Sequence, residues 1–394
     1  EIKVLRSCKH ENIVDLLDRP SGRAGWALSG MFERAGLRSC RCARVADRSC
    51  QYFVTAPIDL ACFQRRLVHF EGAAFDGMAA LSSHYQILEH LGEGTYGVVT
   101  KARAKKHKNR IVALKKIKIK DPANGIGFTA LREIKVLRSC KHENIVDLLD
   151  VHCDGNTVVL ALEYCVTDLE TVIKDLAVPL PASHIKTYMQ MLLSGVKELH
   201  RHFILHRDLK PNNLLLNSKG VLKIADFGFA RNYGSPEREM TIRAVTIHYR
   251  CPELLLCLKV YGSAVDMWSV GCIFAEFMLR RPYMAGKTLT EMDQLDAIFK
   301  QRGTMNLQDW PEVVDLGDMK DIVVSWDRHE KRPFKTLHPR IAPECLELLE
   351  GLLDFDPAKR VSAETALEHD YFLVDPMPAD HEDMPLPIPV DLRD

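Results

Sequence analysis

The alternation of apolar and polar residues predicts a small antiparallel sheet beginning at Tyr85. β-Branched runs flank glycines and a polar turn in YQILEHLGEGTYGVVTKARAKKHKNRIVALKKIKI, which is typical of paired strands. A further apolar run, VVLALEYC at 158–165, predicts a buried strand. Between these runs, Leu131, Ile134 and Leu137 recur at helical spacing. This region is therefore expected to be mostly β-structure with one helix.

A long amphipathic helix is predicted for the stretch SHIKTYMQMLLSGVKELHRH. Its first residue, Ser183, is a favourable N-cap. The apolar residues expected on one buried face are Ile185, Tyr188, Met189, Leu192, Val196 and Leu199. The helix leads directly into HRDLKPNN, so it is expected to act as a scaffold for that loop.

Composition excludes several classes of protein and leaves an enzyme possible. The chain has 394 residues, with 53 Lys and Arg balanced by 53 Asp and Glu. Zero net charge argues against a protein that mainly coats nucleic acid or anionic membrane. No apolar run reaches the ~20 residues that cross a bilayer, and no signal peptide is visible. The cysteines are scattered, and Cys40, Cys42 and Cys50 lack the ligand spacing of a zinc site.

The two ends of the chain differ from its middle. Residues 1–18 repeat residues 133–150 without a change, and residues 19–77 are rich in Arg but contain no Lys. We expect residues 1–77 to be either a disordered extension or a gene-model artefact, with Met78 as the natural start. No function is assigned to them. The Pro-rich, acidic tail at 373–394 is predicted to be disordered.

One short loop contains the chemical groups that phosphoryl transfer requires. HRDLKPNN supplies Asp208, Lys210 and Asn213, and ADFG supplies Asp226 shortly afterwards. Such a reaction needs a group to orient and deprotonate a hydroxyl, oxygen ligands for Mg²⁺, and cations beside the phosphates. His206 is interpreted as structural rather than as an acid–base group.

The glycines of the predicted sheet suggest a loop that covers phosphates. Gly92, Gly94 and Gly97 form G-x-G-x-x-G, in which backbone N–H groups can approach a nucleotide closely. The spacing alone is weak, because dinucleotide-binding folds use a similar one. Here the glycines lie between two predicted strands, followed by VALK with Lys115, and that context favours a kinase-type loop.

These motifs resemble those of protein kinases from Tyr85 to Phe372. TALREIK, TDLETVIKD, GVLKIADFG and GSPEREMT resemble the cyclin-dependent kinases, and most of all their CDK-activating subfamily. The resemblance implies an α+β, bilobal protein kinase fold. A small β-rich N-lobe with one regulatory helix would span 85–164, and a larger α-helical C-lobe would span 168–372.

The resemblance also implies roles for individual residues. Asp208 would be the base, and Lys210 would steady the transferring group. Lys115, paired with Glu133, would contact the α- and β-phosphates, and Asn213 and Asp226 would bind Mg²⁺. The positions implied for ATP binding are Gly92, Gly94, Gly97, Val99, Ala113, Lys115, Glu163, Cys165 and Leu215. Of these, Val99, Ala113 and Leu215 could equally be plain core.

Regulation by phosphorylation is implied in the same way. Thr241 matches the activating phosphosite of cyclin-dependent kinases, and Ser235 precedes it at the subfamily's second site. Thr95 and Tyr96 match an inhibitory pair. A phosphate at Thr241 would be collected by arginines, which are Arg132, Arg207 and Arg231.

The resulting prediction is an ATP- and Mg²⁺-dependent, proline-directed Ser/Thr kinase with a cyclin partner, similar to cyclin H, and an assembly factor. Its expected substrates are activation loops of other cyclin-dependent kinases, the RNA polymerase II tail, or both. It is expected in the nucleus and also in the cytoplasm, without direct contact to nucleic acid or membrane. The alternatives are another cell-cycle or transcriptional cyclin-dependent kinase, or a catalytically silent scaffold that binds a cyclin.

Overall fold

A computed structural model describes nine ranges of the chain, which are 81–94, 97–105, 110–119, 128–154, 157–233, 247–258, 261–306, 310–311 and 326–385. Several sequence predictions lie outside these ranges. They concern residues 1–77 with Met78, the phosphosites Thr95, Tyr96, Ser235 and Thr241, and the end of the tail at 386–394.

The first described part is an antiparallel sheet, as the alternating pattern predicted. The elements of this part are α1 (Leu81–His84), β1 (Tyr85–Gly94), β2 (Gly97–Ala104), β3 (Ile111–Lys118), α2 (Phe128–Ser139), β4 (Leu148–Asp154) and β5 (Thr157–Glu163). The strands lie in the order β1-β2-β3-β5-β4, so β4 is at one edge. Its small core is built from alternate strand residues, including Ala102, Leu114 and Val159, which are fully buried.

Gly97 is required by the close approach of β2 to β3. It has a φ of +148°, and a Cβ at this position would lie 1.8 Å from the backbone oxygen of Lys116. No side chain fits there, so the third glycine of G-x-G-x-x-G is needed for the sheet itself as well as for the loop.

The second described part is mainly helical and contains most of the buried residues. Its longer elements are α3 (Leu169–Lys174), α4 (Ala182–Arg201), α5 (Pro252–Leu255), α6 (Ala264–Leu279), α7 (Glu291–Arg302), α8 (Pro343–Leu352) and α9 (Ala363–Leu367). Its short strands are β6 (Thr167–Asp168), β7 (Ile204–Leu205), β8 (Leu214–Leu216), β9 (Leu222–Ile224) and β10 (Arg231–Asn232). Helix α6 is buried on all sides, since every residue from Val265 to Phe277 is buried, and it therefore forms the centre of this part.

Helix α4 buries the face that its periodicity predicted. All six predicted apolar residues are at most 6% exposed, and Tyr188 stacks on Phe277 with ring centroids 5.6 Å apart. The prediction of Ser183 as N-cap was wrong. The helix begins at Ala182 with Pro181 as its cap, because the fixed φ of proline suits a helix start without a side-chain bond.

The predicted tail lies against α4 in its described part, residues 373–385. Lys186 Nζ donates a hydrogen bond to the Val374 oxygen at 2.6 Å, and Thr187 Oγ1 donates to the Ala379 oxygen at 2.7 Å. Met384 is 5% exposed. Two polar side chains of α4 are therefore buried because the tail backbone supplies their acceptors. The Pro-rich composition predicted disorder for this segment. Composition does not reveal the contacts that the segment makes with a distant helix.

A buried ion pair joins the segment between α8 and α9 to α5. Arg360 Nη1 and Nη2 donate to the two carboxylate oxygens of Glu253 at 2.7 and 3.2 Å, and neither side chain is more than 1% exposed. The guanidinium also lies over the Trp268 ring, 5.1 Å from its centroid. Removing one partner would leave the other charge buried and unpaired.

Glu276 is a buried carboxyl group near the end of α6. Tyr249 donates a hydrogen bond to Glu276 Oε2 at 2.8 Å, and the residue is 2% exposed. Burial raises the pKa of Glu276 to about 7, and the charge of Glu170 adds to this, whereas the Tyr249 hydrogen bond and Lys174 act in the opposite direction. The protonated form is therefore favoured by folding up to near-neutral pH.

No helix of the described residues has the length and apolar character needed to cross a bilayer. The described cysteines are free thiols.

The Gly195→Ala substitution should destabilise the protein where α4 crosses β9. An added Cβ would lie 2.7 Å from Ile224 Cδ1 and 2.9 Å from the Asn144 backbone oxygen. We expect a loss of about 1–3 kcal/mol from overpacking, a few degrees in Tm by thermal unfolding. Gly262→Ala is the control, because a Cβ there has no neighbour within 4 Å. Equal Tm values for the two variants would contradict this packing.

The Glu276→Gln substitution should change how stability depends on pH. The raised pKa means that this carboxyl contributes stability at low pH, and that the contribution is lost as pH rises through about 7. The variant cannot ionise but keeps an oxygen for Tyr249. The free energy of unfolding of the variant should exceed that of the parent by roughly 2–3 kcal/mol at pH 8. This difference in stability should shrink toward pH 5.

Urea unfolding of both proteins between pH 5 and 8 would measure this gap. The control is Glu364→Gln, which changes an exposed carboxylate with 67% of its side chain accessible. A stability gap for Glu276→Gln that stays constant with pH would refute the interpretation.

Candidate active site

Lys115 brings together three parts of the fold. Its ammonium group lies 2.8 and 3.0 Å from the two carboxylate oxygens of Glu133 and 2.9 Å from Asp226 Oδ1. Lys115 is on β3, Glu133 is on α2, and Asp226 follows β9 closely. The predicted pairing of Lys115 with Glu133 is therefore present, and the contact with Asp226 adds a second carboxylate to it.

Lys115 and Asp226 stabilise each other's charged forms, whereas burial and the charge of Asp226 raise the pKa of Glu133. Burial alone would lower the pKa of Lys115, but the carboxylates of Glu133 and Asp226 outweigh it and raise that pKa above its usual value. Burial acts to raise the pKa of Asp226, yet the ammonium group of Lys115 holds it below the ordinary range. Lys115 therefore stays cationic and Asp226 anionic at neutral pH.

Asp266 holds the loop between β7 and β8 in place through hydrogen bonds. This carboxylate, fully buried on α6, accepts hydrogen bonds from the backbone N–H groups of His206 and Arg207 at 2.9 and 2.8 Å. Its Oδ2 also lies 3.0 Å from His200 Nε2. Arg207 has a left-handed backbone with φ of 67°, a strained conformation that these bonds hold in place.

Asp208 is held by its neighbours in the same loop. Asn213 Nδ2 donates to the backbone oxygen of Asp208 at 2.8 Å and to its Oδ2 at 2.9 Å. Lys210 Nζ lies 3.2 Å from the same Oδ2. Asp208 is 6% exposed, and burial raises its pKa, although Lys210 counters part of that effect. The geometry gives a carboxylate in a fixed orientation with a cation beside it.

His206 takes a structural position, in agreement with the sequence interpretation. Its Nε2 lies 3.0 Å from the Ala225 oxygen, and the backbone N–H of Asp208 donates to its Nδ1 at 3.2 Å. With the proton on Nε2 both contacts are satisfied, and the ring joins the loop to the segment before Asp226.

Asn213 and Asp226 are placed beside each other by the backbone. The Ala225 N–H donates to the Asn213 oxygen at 2.9 Å, and Asp226 adopts a left-handed conformation with φ of 62°. Because Asn213 Nδ2 is used by Asp208, its side-chain oxygen is the end suited to a cation. An amide oxygen and a carboxylate fit the oxygen preference of Mg²⁺.

Most of the residues implied for binding the adenine and the phosphates of ATP lie on the strands around Lys115. Val99 is paired with Lys115 across β2 and β3, and Ala113 is paired with Leu162 across β3 and β5. Gly92 is paired with Val99, and Gly94 with Gly97, so the three glycines lie near the paired ends of β1 and β2. Leu215 is half-buried on β8, opposite Lys223 on β9.

The side chain of Glu163 is engaged away from a ligand. It forms an ion pair with Lys223 Nζ at 2.9 Å, and its backbone N–H donates to the Asp147 oxygen at 2.9 Å. Any contact with a nucleotide would therefore use its main chain. Burial, with the charge of Glu163, raises the pKa of the nearby Cys165 thiol to about 12, so that thiol is neutral.

The three predicted phosphate-collecting arginines approach the segment after Asp226. Arg132 Nη1 donates to the Gly228 oxygen at 3.1 Å, and Arg207 Nε donates to the Phe229 oxygen at 2.8 Å. Arg231 is paired with Leu205 in the β7–β10 ladder. The structure thus brings the three to one segment, while Thr241 itself lies outside the described residues.

The surface has a depression beside Asp208 whose set of lining residues the sequence did not predict. Its lining includes Tyr249, Arg250 and Cys251 together with Asp208 and Arg207. The side chain of Arg250 is turned to Glu291 Oε1 at 3.3 Å. Only the tertiary fold brings α5 and its preceding residues next to the loop.

Lys223 is the site residue that sequence reasoning missed. It occupies the middle of the apolar strand LKI and is 9% exposed. A lysine between apolar residues of a buried strand is a usable signal, because such a cation needs a partner.

A family model described as the protein kinase domain matches residues 85–372 of this chain. Cyclin-dependent kinase 7 of Dictyostelium discoideum is 46% identical over 307 residues, covering 77% of this chain and 83% of that protein. Cyclin-dependent kinase 7 of Xenopus laevis is 44% identical over 322 residues, covering 80% and 90%. The serine/threonine-protein kinase crk1 of Schizosaccharomyces pombe is 45% identical over 291 residues, covering 73% and 84%.

The fold is also similar to a chain in the structure of the CAK complex of Chaetomium thermophilum bound to ATP-gamma-S. The TM-score is 0.70 and the identity 39%, over 77% of this chain and 95% of that chain. The chain therefore belongs to the protein kinase family, and within it to the cyclin-dependent serine/threonine kinases that resemble cyclin-dependent kinase 7.

Proposed function

We propose that Asp208 orients the hydroxyl group of a Ser or Thr substrate and accepts its proton during transfer of the ATP γ-phosphoryl group. The observation that carries this proposal is the fixed carboxylate of Asp208, held by Asn213 at 2.9 Å and flanked by Lys210 at 3.2 Å. The cation of Lys210 would offset negative charge on the transferring group. A raised pKa brings Asp208 closer to the range in which a base is effective.

Lys115 is the proposed contact to the α- and β-phosphates, with Glu133 keeping it in place. The 2.8 Å ion pair supports this role, because it orients the ammonium group before a nucleotide arrives. Mg²⁺ would be held by Asn213 and Asp226 and would neutralise phosphate charge when bound. The hinge residues Glu163 and Cys165 would meet the adenine through their main chain.

The proposed substrates are the activation loops of other cyclin-dependent kinases, the RNA polymerase II tail, or both. Support comes from two relatives that are named cyclin-dependent kinase 7 and from the CAK complex as a structural neighbour. A cyclin similar to cyclin H, an assembly factor and a nuclear location complete the proposal.

We further propose that phosphorylation of Thr241 raises activity. Arg132 and Arg207 donate to the Gly228 and Phe229 oxygens, Arg231 follows in the same segment, and a phosphate carries nearly two negative charges. Charge-assisted hydrogen bonds from these arginines would join α2, the Asp208 loop and the segment after Asp226.

The Asp208→Asn substitution should abolish phosphotransfer and leave nucleotide binding intact. The amide cannot accept the substrate proton, so we expect kcat to fall by about a thousandfold or more. Steady-state assays with a cyclin-dependent kinase activation-loop peptide and a polymerase-tail peptide would measure this. Asn212→Ala, at the exposed neighbour in the same loop, should retain activity. Turnover by Asp208→Asn near the parent level would refute the assignment.

The Thr241→Ala substitution should lower kcat of the cyclin-bound enzyme about tenfold or more, while ATP affinity changes less than twofold. Without the phosphate, the arginines lose the anion that gathers them. Phosphopeptide mass spectrometry and kinetics of the parent and variant would test this. Thr336→Ala, at an exposed threonine whose hydroxyl donates to the Pro333 oxygen, is the control. Full activity of Thr241→Ala would exclude this regulation.

A further inference from the structure

The ion pair between Glu163 and Lys223 joins two segments that meet opposite ends of a nucleotide. Lys223 Nζ lies 2.9 Å from Glu163 Oε2, and the two side chains are 11% and 16% exposed. Glu163 is the last residue of β5, and Lys223 is the middle residue of β9. From β5 the chain continues to Cys165, and from β9 it continues to Asp226.

Strand β9 is already fixed along both of its edges by backbone hydrogen bonds. On one edge it pairs with β8. On the other, the Ile224 N–H donates to the Asn144 oxygen at 2.8 Å, and the Val146 N–H donates to the Ile224 oxygen at 3.0 Å. Asn144 Nδ2 also donates to the Leu222 oxygen at 3.0 Å. The backbone around Lys223 therefore does not need the ion pair to remain a strand.

The end of β5 is held to the same loop by one backbone contact, from the Glu163 N–H to the Asp147 oxygen. The Glu163–Lys223 pair adds a side-chain contact between this end and β9. Because both groups are largely buried, salt and water weaken their attraction little. The structure contains this pair together with the contacts of Lys115 to Glu133 and Asp226.

We propose that Glu163 and Lys223 are positioning residues that set the spacing between the hinge and Asp226. A nucleotide bound at both places, by its base at the hinge and by its phosphates near Lys115 and Asp226, benefits from that spacing. A ligand that reaches only the hinge does not. This inference rests on the proposed nucleotide site and adds a specific residue pair to it.

The test compares two ligands of different reach on the full chain. In Lys223→Met, the affinity for Mg²⁺-ATP should fall about tenfold, because the nucleotide must order the two segments itself. The affinity for adenosine, which has no phosphates, should fall less than twofold. Isothermal titration calorimetry of both ligands gives the dissociation constants. If the parent chain fails to bind Mg²⁺-ATP, the proposed site fails, independently of the ion pair.

Two further variants separate positioning from a general loss of stability. Glu163→Gln keeps the shape and removes the charge, so it should weaken Mg²⁺-ATP binding severalfold with the same selectivity over adenosine. It also carries the test if Lys223→Met does not fold. The double variant should be no weaker than the weaker single variant, because the two residues act as one unit.

The matched control is Lys141→Met. It breaks an ion pair of the same length, 2.9 Å to Asp147, in the neighbouring loop, but with both side chains half exposed. It should leave the affinity for both ligands unchanged. Equal loss for adenosine and Mg²⁺-ATP, unchanged Mg²⁺-ATP affinity, or single-variant losses that multiply in the double variant would each overturn the proposal.

Discussion

The ammonium group of Lys115 is the point at which the separate parts of this kinase are joined. It lies between Glu133 of α2 and Asp226 after β9, at 2.8 and 2.9 Å, and is itself part of β3. One cation and two carboxylates in a largely buried place cannot be separated without leaving a charge unpaired. The position of the sheet relative to α2 and to β9 therefore depends on this cluster.

Buried charges also hold the catalytic loop and the helical part together. Asp266 on α6 accepts the backbone N–H groups of His206 and Arg207, and this keeps Arg207 in its left-handed conformation. Arg360 is paired with Glu253 in a place with almost no solvent access. Each of these groups is costly to bury alone, so each specifies which segments must meet. The Glu163–Lys223 pair extends the same principle to the hinge.

Local patterns predicted much of the fold correctly, and one pairing within the candidate site. The alternation after Tyr85 predicted the sheet, and the helical period predicted the buried face of α4. The pairing of Lys115 with Glu133 was predicted from their motifs, and the structure contains it. Sequence reasoning missed Lys223, the cap of α4 and the position of residues 373–385. For Lys223 and for residues 373–385 the deciding partner is far away in the chain, as Glu163 is for Lys223 and Val374 is for Lys186.

The order of residues along the chain is enough to identify the chemistry and the family of this protein. Asp208, Lys210, Asn213 and Asp226 follow one another closely, and a short segment with that spacing is readable without a fold. Which charges are paired, and how deeply they are buried, depends on how distant segments fold together. Burial and partner choice set the pKa shifts of Asp208 and Asp226, and both depend on contacts between distant segments. Periodicity reports which face of an element is apolar, but not which element covers it.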